Sequence, residues 1–239
     1  MSRSQRLVLL IAILASFVSF LDGTVVTVAL PAIQRDLGGG LVTQQWVVDA
    51  YLITLGALIL VAGSLSDVFG RLVILRIGLV GFAITSIAIA AAPDPLFLVI
   101  ARGVQGIAGA FLVPSSLALI TSTFRGPAQG RAIGIWTGAT TGAMLIGPVV
   151  GGVFVDLLSW RLVFLINVIP IAVTLWLLVV LKHRDERRPG ATVDWAGAVL
   201  CTVGLGGAVF ALIEQQNLGW ASPAIWGSLT IGVLAFAGF

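Results

Sequence analysis

The chain has 239 residues, of which 13 are basic, 10 acidic and 59% apolar, and its mean hydropathy is +1.12. Soluble domains average roughly 45–50% apolar and 25% charged residues, so a soluble fold is excluded. Apolar runs of about 20 residues follow one another along the chain, whereas the strands of a membrane barrel alternate over roughly 10 residues, so the spans are helices. The net charge of +3 comes from basic residues scattered in short clusters rather than along one stripe; the partner this predicts is the lipid bilayer, with no nucleic acid.

Eight spans are expected, over 7–33, 44–64, 72–92, 96–121, 132–155, 162–181, 195–213 and 224–239. Arg3 and Arg6 precede the first. Its apolar stretch runs to Ile33, too far for a secretory signal core, so the segment is expected to stay in place as a span. The connections Arg35 to Gly40, Pro93-Asp94-Pro95 and Lys182 to Gly190 carry the charge, proline and glycine of turns. With the N-terminus inside, Arg3, Arg6, Arg71, Arg76, Arg125, Arg131, Lys182, Arg184, Arg187 and Arg188 fall on the cytoplasmic side, and only Arg35 and Arg161 outside. That bias predicts a multi-pass protein with a cytoplasmic N-terminus. Cys201 lies within a span and provides neither a disulfide nor a cysteine metal site. His183 reads as a solvated loop residue. The eighth span stops at Phe239 without a polar flank, so a longer chain, or a natural truncation, is expected.

Three ionisable residues fall inside spans: Asp22, Asp49 and Arg102. Each costs about 2.5–3.5 kcal/mol at a helix centre on insertion scales and needs a partner or a water-filled cavity. At ~1.5 Å of rise per residue all three lie in the outer half of the bilayer, where one of the two acids can pair with Arg102. Burial disfavours a charged carboxyl and a nearby cation favours it, so Asp22 or Asp49 is expected to exchange a proton as Arg102 approaches or withdraws. The alternative is a static ion pair that fixes helix packing. Gln45, Asp49, Gly56 and Gly63 share one stripe of span 2; Arg102, Gln105, Gly106 and Gly109 share one face of span 4. Both stripes are expected to face neighbouring helices.

Span 5 repeats glycine at Gly134, Gly138 and Gly142 and continues into Gly147-Pro148 and Gly151-Gly152. Such spacing lets helices approach backbone to backbone. Pro148 removes the bond to the Met144 carbonyl and is expected to bend the helix, which makes it a hinge or seal. Gly63 to Arg71 joins spans 2 and 3, with Asp67 and Arg71 four apart around a tight glycine turn.

These segments resemble the major facilitator superfamily, and within it the fourteen-helix drug:proton antiporter branch. Gly63 to Arg71 is similar to the signature between helices 2 and 3, Leu98 to Ala110 to the helix 4 signature, and Gly142 to Gly152 to the antiporter signature G-P-x-x-G-G of helix 5. Leu21 to Pro31 resembles the first-helix signature, Gln45 to Tyr51 the start of helix 2, and Trp160 to Asn167 that of helix 6. Asp194-Trp195 resembles the start of the two extra helices between the halves. Val68 and Leu72 depart from the basic residues usual in the loop signature, and Ala143 stands where glycine is common.

The resemblance implies an all-α membrane protein: a six-helix transporter half over 1–181, a cytoplasmic linker over 182–194, and two additional linker helices over 195–239, the second truncated. It implies a C-terminal six-helix half missing from this sequence, a place in the inner (cytoplasmic) cell membrane, and proton-coupled antiport that exports amphipathic or cationic drugs and other small organic compounds. The proton gradient would be the energy source, with no cofactor or metal, and the partners would be small organic substrates, protons and the missing half. Asp22, Asp49 and Arg102 would couple protons. Gly63, Asp67, Gly70, Arg71, Gly142, Gly147, Pro148, Gly151 and Gly152 would gate the conformational change, with Gln105, Gly106 and Gly109 completing the helix 4 motif. Trp46, Phe111 and Trp136 would offer aromatic surface to the substrate. The two rivals are an importer or facilitator of the same fold, and a non-transporting membrane fragment or interaction partner. No H-E-x-x-H, G-x-S-x-G or Walker sequence is present, so catalytic residues are not expected.

Overall fold

The computed structural model describes residues 1–181 and 193–239; the expected cytoplasmic linker up to residue 192, His183 included, lies outside the described residues. Among the described residues the regular structure is entirely helical, in ten helices. α1 (Arg3–Leu37) starts at a capping box: the Ser2 hydroxyl accepts from the Gln5 amide at 3.2 Å, and the Gln5 side chain accepts from the Ser2 amide at 2.9 Å. It ends at Gly38, whose φ of 82° stops the helix. α2 (Leu41–Phe69) and α3 (Arg71–Ala90) are separated by Gly70 alone, at φ 105°.

Two expected spans are each built from a pair of helices broken by proline chemistry. α4 (Pro95–Ala110), capped by Asp94 on the Phe97 amide at 2.9 Å, gives way at Phe111 to α5 (Leu112–Thr123). Pro114 cannot donate to the carbonyl of Ala110. α7 (Leu162–Leu165) gives way at Ile166-Asn167 to α8 (Val168–Val180), where Pro170 leaves the Ile166 carbonyl without its donor. α6 (Pro127–Leu157) runs unbroken through Pro148, and α9 (Trp195–Leu218) and α10 (Pro223–Gly238) form a hairpin. Among the described residues seven helical stretches are long and apolar enough to cross a membrane, α4–α5 and α7–α8 each counting as one; α10 is apolar and shorter, at 16 residues.

The core has two apolar layers. One joins Ile11, Ala15, Leu79, Leu112 and Leu178, and the other Val25, Ala29, Val47, Leu98 and Phe164. Between them α1, α3, α4 and the α7–α8 joint contribute buried polar groups. The α9–α10 hairpin is packed backbone to backbone: a Cβ on Gly207 would lie 2.5 Å from the Ser228 carbonyl oxygen. It leans on α2, where Gly56 faces Leu205 and the Trp46 and Phe210 rings lie 6.2 Å apart.

The sequence reading needs two corrections here. Gly63 to Phe69 is the last part of α2 and not a loop, because the one residue whose backbone departs from helix is Gly70. The glycines of α6 are also not one close-packed stripe. A Cβ on Gly134, Gly138, Gly142 or Gly152 would meet nothing within 4 Å, whereas one on Gly151 would lie 2.9 Å from Val25 Cγ2 and 3.0 Å from the Val25 carbonyl oxygen. Gly147 is pressed against Thr24 of α1 in the same way.

Candidate proton-coupling site

α4 reaches its place because its glycines leave room for α2. Gly106 sits on the Tyr51 carbonyl and the Thr54 hydroxyl, and a Cβ on Gly109 would lie 3.1 Å from the Tyr51 hydroxyl. Thr54 fastens the contact by donating to the Gly103 carbonyl at 2.8 Å. This close approach delivers Arg102, one helical turn before Gly106, into the gap between α1, α2 and α4.

Arg102 is 1% exposed and Asp22 is fully buried, and Arg102 Nη1 donates to Asp22 Oδ2 at 2.5 Å. The guanidinium also donates through Nε to the Val47 carbonyl at 2.9 Å and through Nη1 to Gln105 Oε1 at 2.6 Å. Aromatic faces enclose it, Tyr51 at 4.2 Å and Phe164 at 5.8 Å from Cζ to ring centroid. Asp22 Oδ1 accepts from Asn167 Nδ2 at 2.9 Å and, more weakly, from Gln105 Nε2 at 3.5 Å. Gln105 Nε2 further donates to Ser86 at 2.9 Å, and the Tyr51 and Ser19 hydroxyls are 3.0 Å apart. A buried pair is tolerated only when further hydrogen bonds support it, and here they come from Val47 on α2, Gln105 on α4 and Asn167 at the α7–α8 joint.

Of the two acids open to Arg102 from the sequence, the structure pairs Asp22. Asp49 is half-buried and has no hydrogen bond or ion pair among the described residues. On α2 the reach of Arg102 ends at the Val47 carbonyl, and the Gln45 side-chain oxygen one turn before Asp49 is buried without a donor.

The remaining expected residues are spread over the bundle. Asp67 and Arg71 form an ion pair of 3.6 Å across Gly70, while Gly63 meets no neighbour. Arg76 donates to the Leu178 carbonyl at 3.1 Å, tying α3 to the end of α8. Pro148 is exposed on α6, and Gly142, nearly two turns earlier, is half-buried with nothing near the position a Cβ would take. The three aromatics do not meet: Trp46 lines a cavity of about 490 Å³ with Thr43, Pro95 and Val99, Phe111 packs on Gly78, and Trp136 donates to Ser16 Oγ at 3.1 Å.

Three further contacts join positions whose pairing is not legible in the sequence. Asn167 lay within a recognised segment, but its role depends on Asp22, 145 positions away. Glu214 lies just past the expected end of span 7 at residue 213, yet α9 continues past it, and it accepts from Trp46 Nε1 at 2.8 Å. Asp36 at the end of α1 accepts from Trp160 Nε1 at 2.9 Å and from Arg161, a cluster that pins the end of α1 to the start of α7.

The family model described as Major Facilitator Superfamily matches residues 12–239. Among curated relatives, the chain is 38% identical over 233 residues to the puromycin resistance protein pur8 of Streptomyces alboniger, covering 97% of this chain and 46% of that protein. It is 38% identical over 222 residues to the tetracenomycin C resistance and export protein of Streptomyces glaucescens (92% and 41%). It is 37% identical over 235 residues to the methylenomycin A resistance protein of Bacillus subtilis strain 168 (97% and 50%). The chain thus spans about half the length of the curated relatives it matches. Among solved structures, the crystal structure of peptide transporter POT in complex with sulfate superposes with a TM-score of 0.68 at 15% identity, over 99% of this chain and 51% of that one.

Proposed function

The chain belongs to the Major Facilitator Superfamily, and from that premise we propose that it is the first part of a proton-coupled antiporter exporting amphipathic, often cationic, organic compounds across the cytoplasmic membrane. Residues 1–181 form its N-terminal six-helix half, 182–194 a cytoplasmic linker, and 195–239 two inserted helices; a second six-helix half completes it. The distribution of Arg and Lys supports a cytoplasmic N-terminus. The resistance and export proteins among the relatives support expulsion as the direction of transport.

The observation that carries the coupling is the buried Asp22–Arg102 pair. While the guanidinium is in place the carboxylate is compensated. If helix movement draws Arg102 away, an isolated carboxylate is left in a dry site, and it neutralises by taking a proton from whichever side then has access. Return of Arg102 expels that proton. Exchange follows if substrate and proton occupy the carrier in turn, with binding at the interface of the two halves. Gly147 and Gly151 against α1 support a tight seal there, Pro148 a bend in α6, and Asp67–Arg71 a cytoplasmic latch. Asp22→Asn in the complete protein, reconstituted in proteoliposomes under an imposed proton gradient, is expected to abolish substrate-driven proton flux while the protein still inserts. Unchanged flux would remove Asp22 from coupling.

A further inference from the structure

Asn167 differs from every other member of the polar layer. Gln105 uses both ends of its amide, Oε1 on Arg102 and Nε2 on Ser86 and Asp22. Asn167 is fully buried and uses one end only: Nδ2 donates to Asp22 Oδ1 at 2.9 Å, while its Oδ1 is buried without a donor among the described residues. An unused acceptor in the dry centre of a bundle is destabilising. It stands next to a carboxyl group and at the α7–α8 joint, where the helix is already interrupted.

We infer that Asn167 is the positioning residue that lets Asp22 exchange its proton in place, donating to the carboxylate through Nδ2 and accepting from the carboxylic acid through Oδ1. This rests on the reading of Asp22 as the coupling acid. A carboxylate offers only acceptors, and a carboxylic acid adds one O–H donor. A half-turn about the Cβ–Cγ bond of asparagine exchanges the amide nitrogen and oxygen, and that torsion is soft. When Asp22 Oδ1 takes a proton from water, the N–H that faced it becomes a mismatched donor, and the turned amide presents Oδ1 to the new O–H. When the proton returns to water, the amide turns back. With Arg102 drawn away, the turned amide is the partner that the new O–H finds beside it.

Among the described residues the ionisable groups facing Asp22 are Arg102 from α4 and Tyr51 from α2. α3 contributes Ser86 through Gln105, and α5, α7 and α8 contain no ionisable residue. α6 carries Arg131 and Asp156 toward its two ends, and against this stretch of α1 it places Gly147 and Gly151.

The test is pH-difference infrared spectroscopy on the complete protein in liposomes, with side-chain 13C-labelled asparagine. Wild type is expected to show a protonated carboxyl band that Asp22→Asn removes, and a labelled amide band that shifts with it. Asn167→Leu is expected to move the carboxyl band to higher wavenumber, as for an unbonded acid, and to erase the labelled shift; Asn167→Thr, whose hydroxyl both donates and accepts, should restore a bonded carboxyl band. An unmoved carboxyl band in Asn167→Leu overturns the proposal. Where that variant does not assemble, the labelled wild type decides, since an asparagine band that ignores the pH change overturns the proposal equally. A carboxyl band that survives Asp22→Asn overturns the assignment of Asp22 itself, and this inference with it.

Discussion

Asp22 on α1 and Asp49 on α2 each interrupt an apolar helix, yet their surroundings are opposite. Asp22 is fully buried and accepts from Arg102, Asn167 and Gln105, drawn from two other parts of the bundle. Asp49 is half-buried, and among the described residues nothing bonds it. The difference comes from α4, because glycine at 106 and 109 seats that helix on α2 so closely that Arg102 passes over the Tyr51 ring and ends between α1 and α2. Carboxyl chemistry alone therefore does not decide the surroundings of an acid inside a helix. What distinguishes Asp22 is three convergent donors, Arg102, Gln105 and Asn167, held on it by other helices of the bundle.

The sharpest way to break this contrast is to remove the shared cation. Arg102→Ala should destabilise the complete protein by about 3–5 kcal/mol, the cost of leaving a buried charge without its partner. Combining it with Asp22→Asn should recover much of that loss in thermal unfolding in detergent. Strictly additive losses would mean that the two side chains do not act as a pair. A smaller effect is expected at the edge of the α2 surroundings. Trp46→Phe removes the indole bond to Glu214 while keeping the ring beside Phe210, and should cost about 1 kcal/mol. Its readout is protease protection of the α9–α10 hairpin, and wild-type protection would show that the hairpin is held by packing alone. The smallest effect belongs to Asp49→Asn, expected within about 0.5 kcal/mol of wild type and with proton-driven export retained. Loss of export at full stability would move the coupling acid from α1 to α2 and reverse the contrast.

Much of the architecture was legible because membrane helices announce themselves by length and apolarity, and glycine and proline mark their ends. Arg102, Gln105, Gly106 and Gly109 were readable as one face because helical periodicity is local. Its target was not: two acids stood within reach, and only the relative rotation of α1, α2 and α4 decides between them. The same limit explains Asn167, whose partner lies 145 positions away, and Glu214, which a hydropathy boundary left outside a helix that continues to Leu218. The glycines of α6 show the converse. Spacing predicts contact along the whole stripe, but α1 presses only on Gly147 and Gly151, and no described residue comes within 4 Å of a Cβ at Gly134, Gly138, Gly142 or Gly152.

Between α2 and α3 there is one residue, Gly70, with the Asp67–Arg71 pair across it. Two long rods hinged on a single peptide unit have almost no slack. They can change the angle between them, but neither can slide along its axis without dragging the other. A tilt of α2 along its 29 residues therefore reaches α3 as a change of angle at Gly70, as in a pair of compasses. Fluorophores placed near that pivot would report a constant separation throughout the transport cycle, and the same fluorophores at the far ends would report its full amplitude.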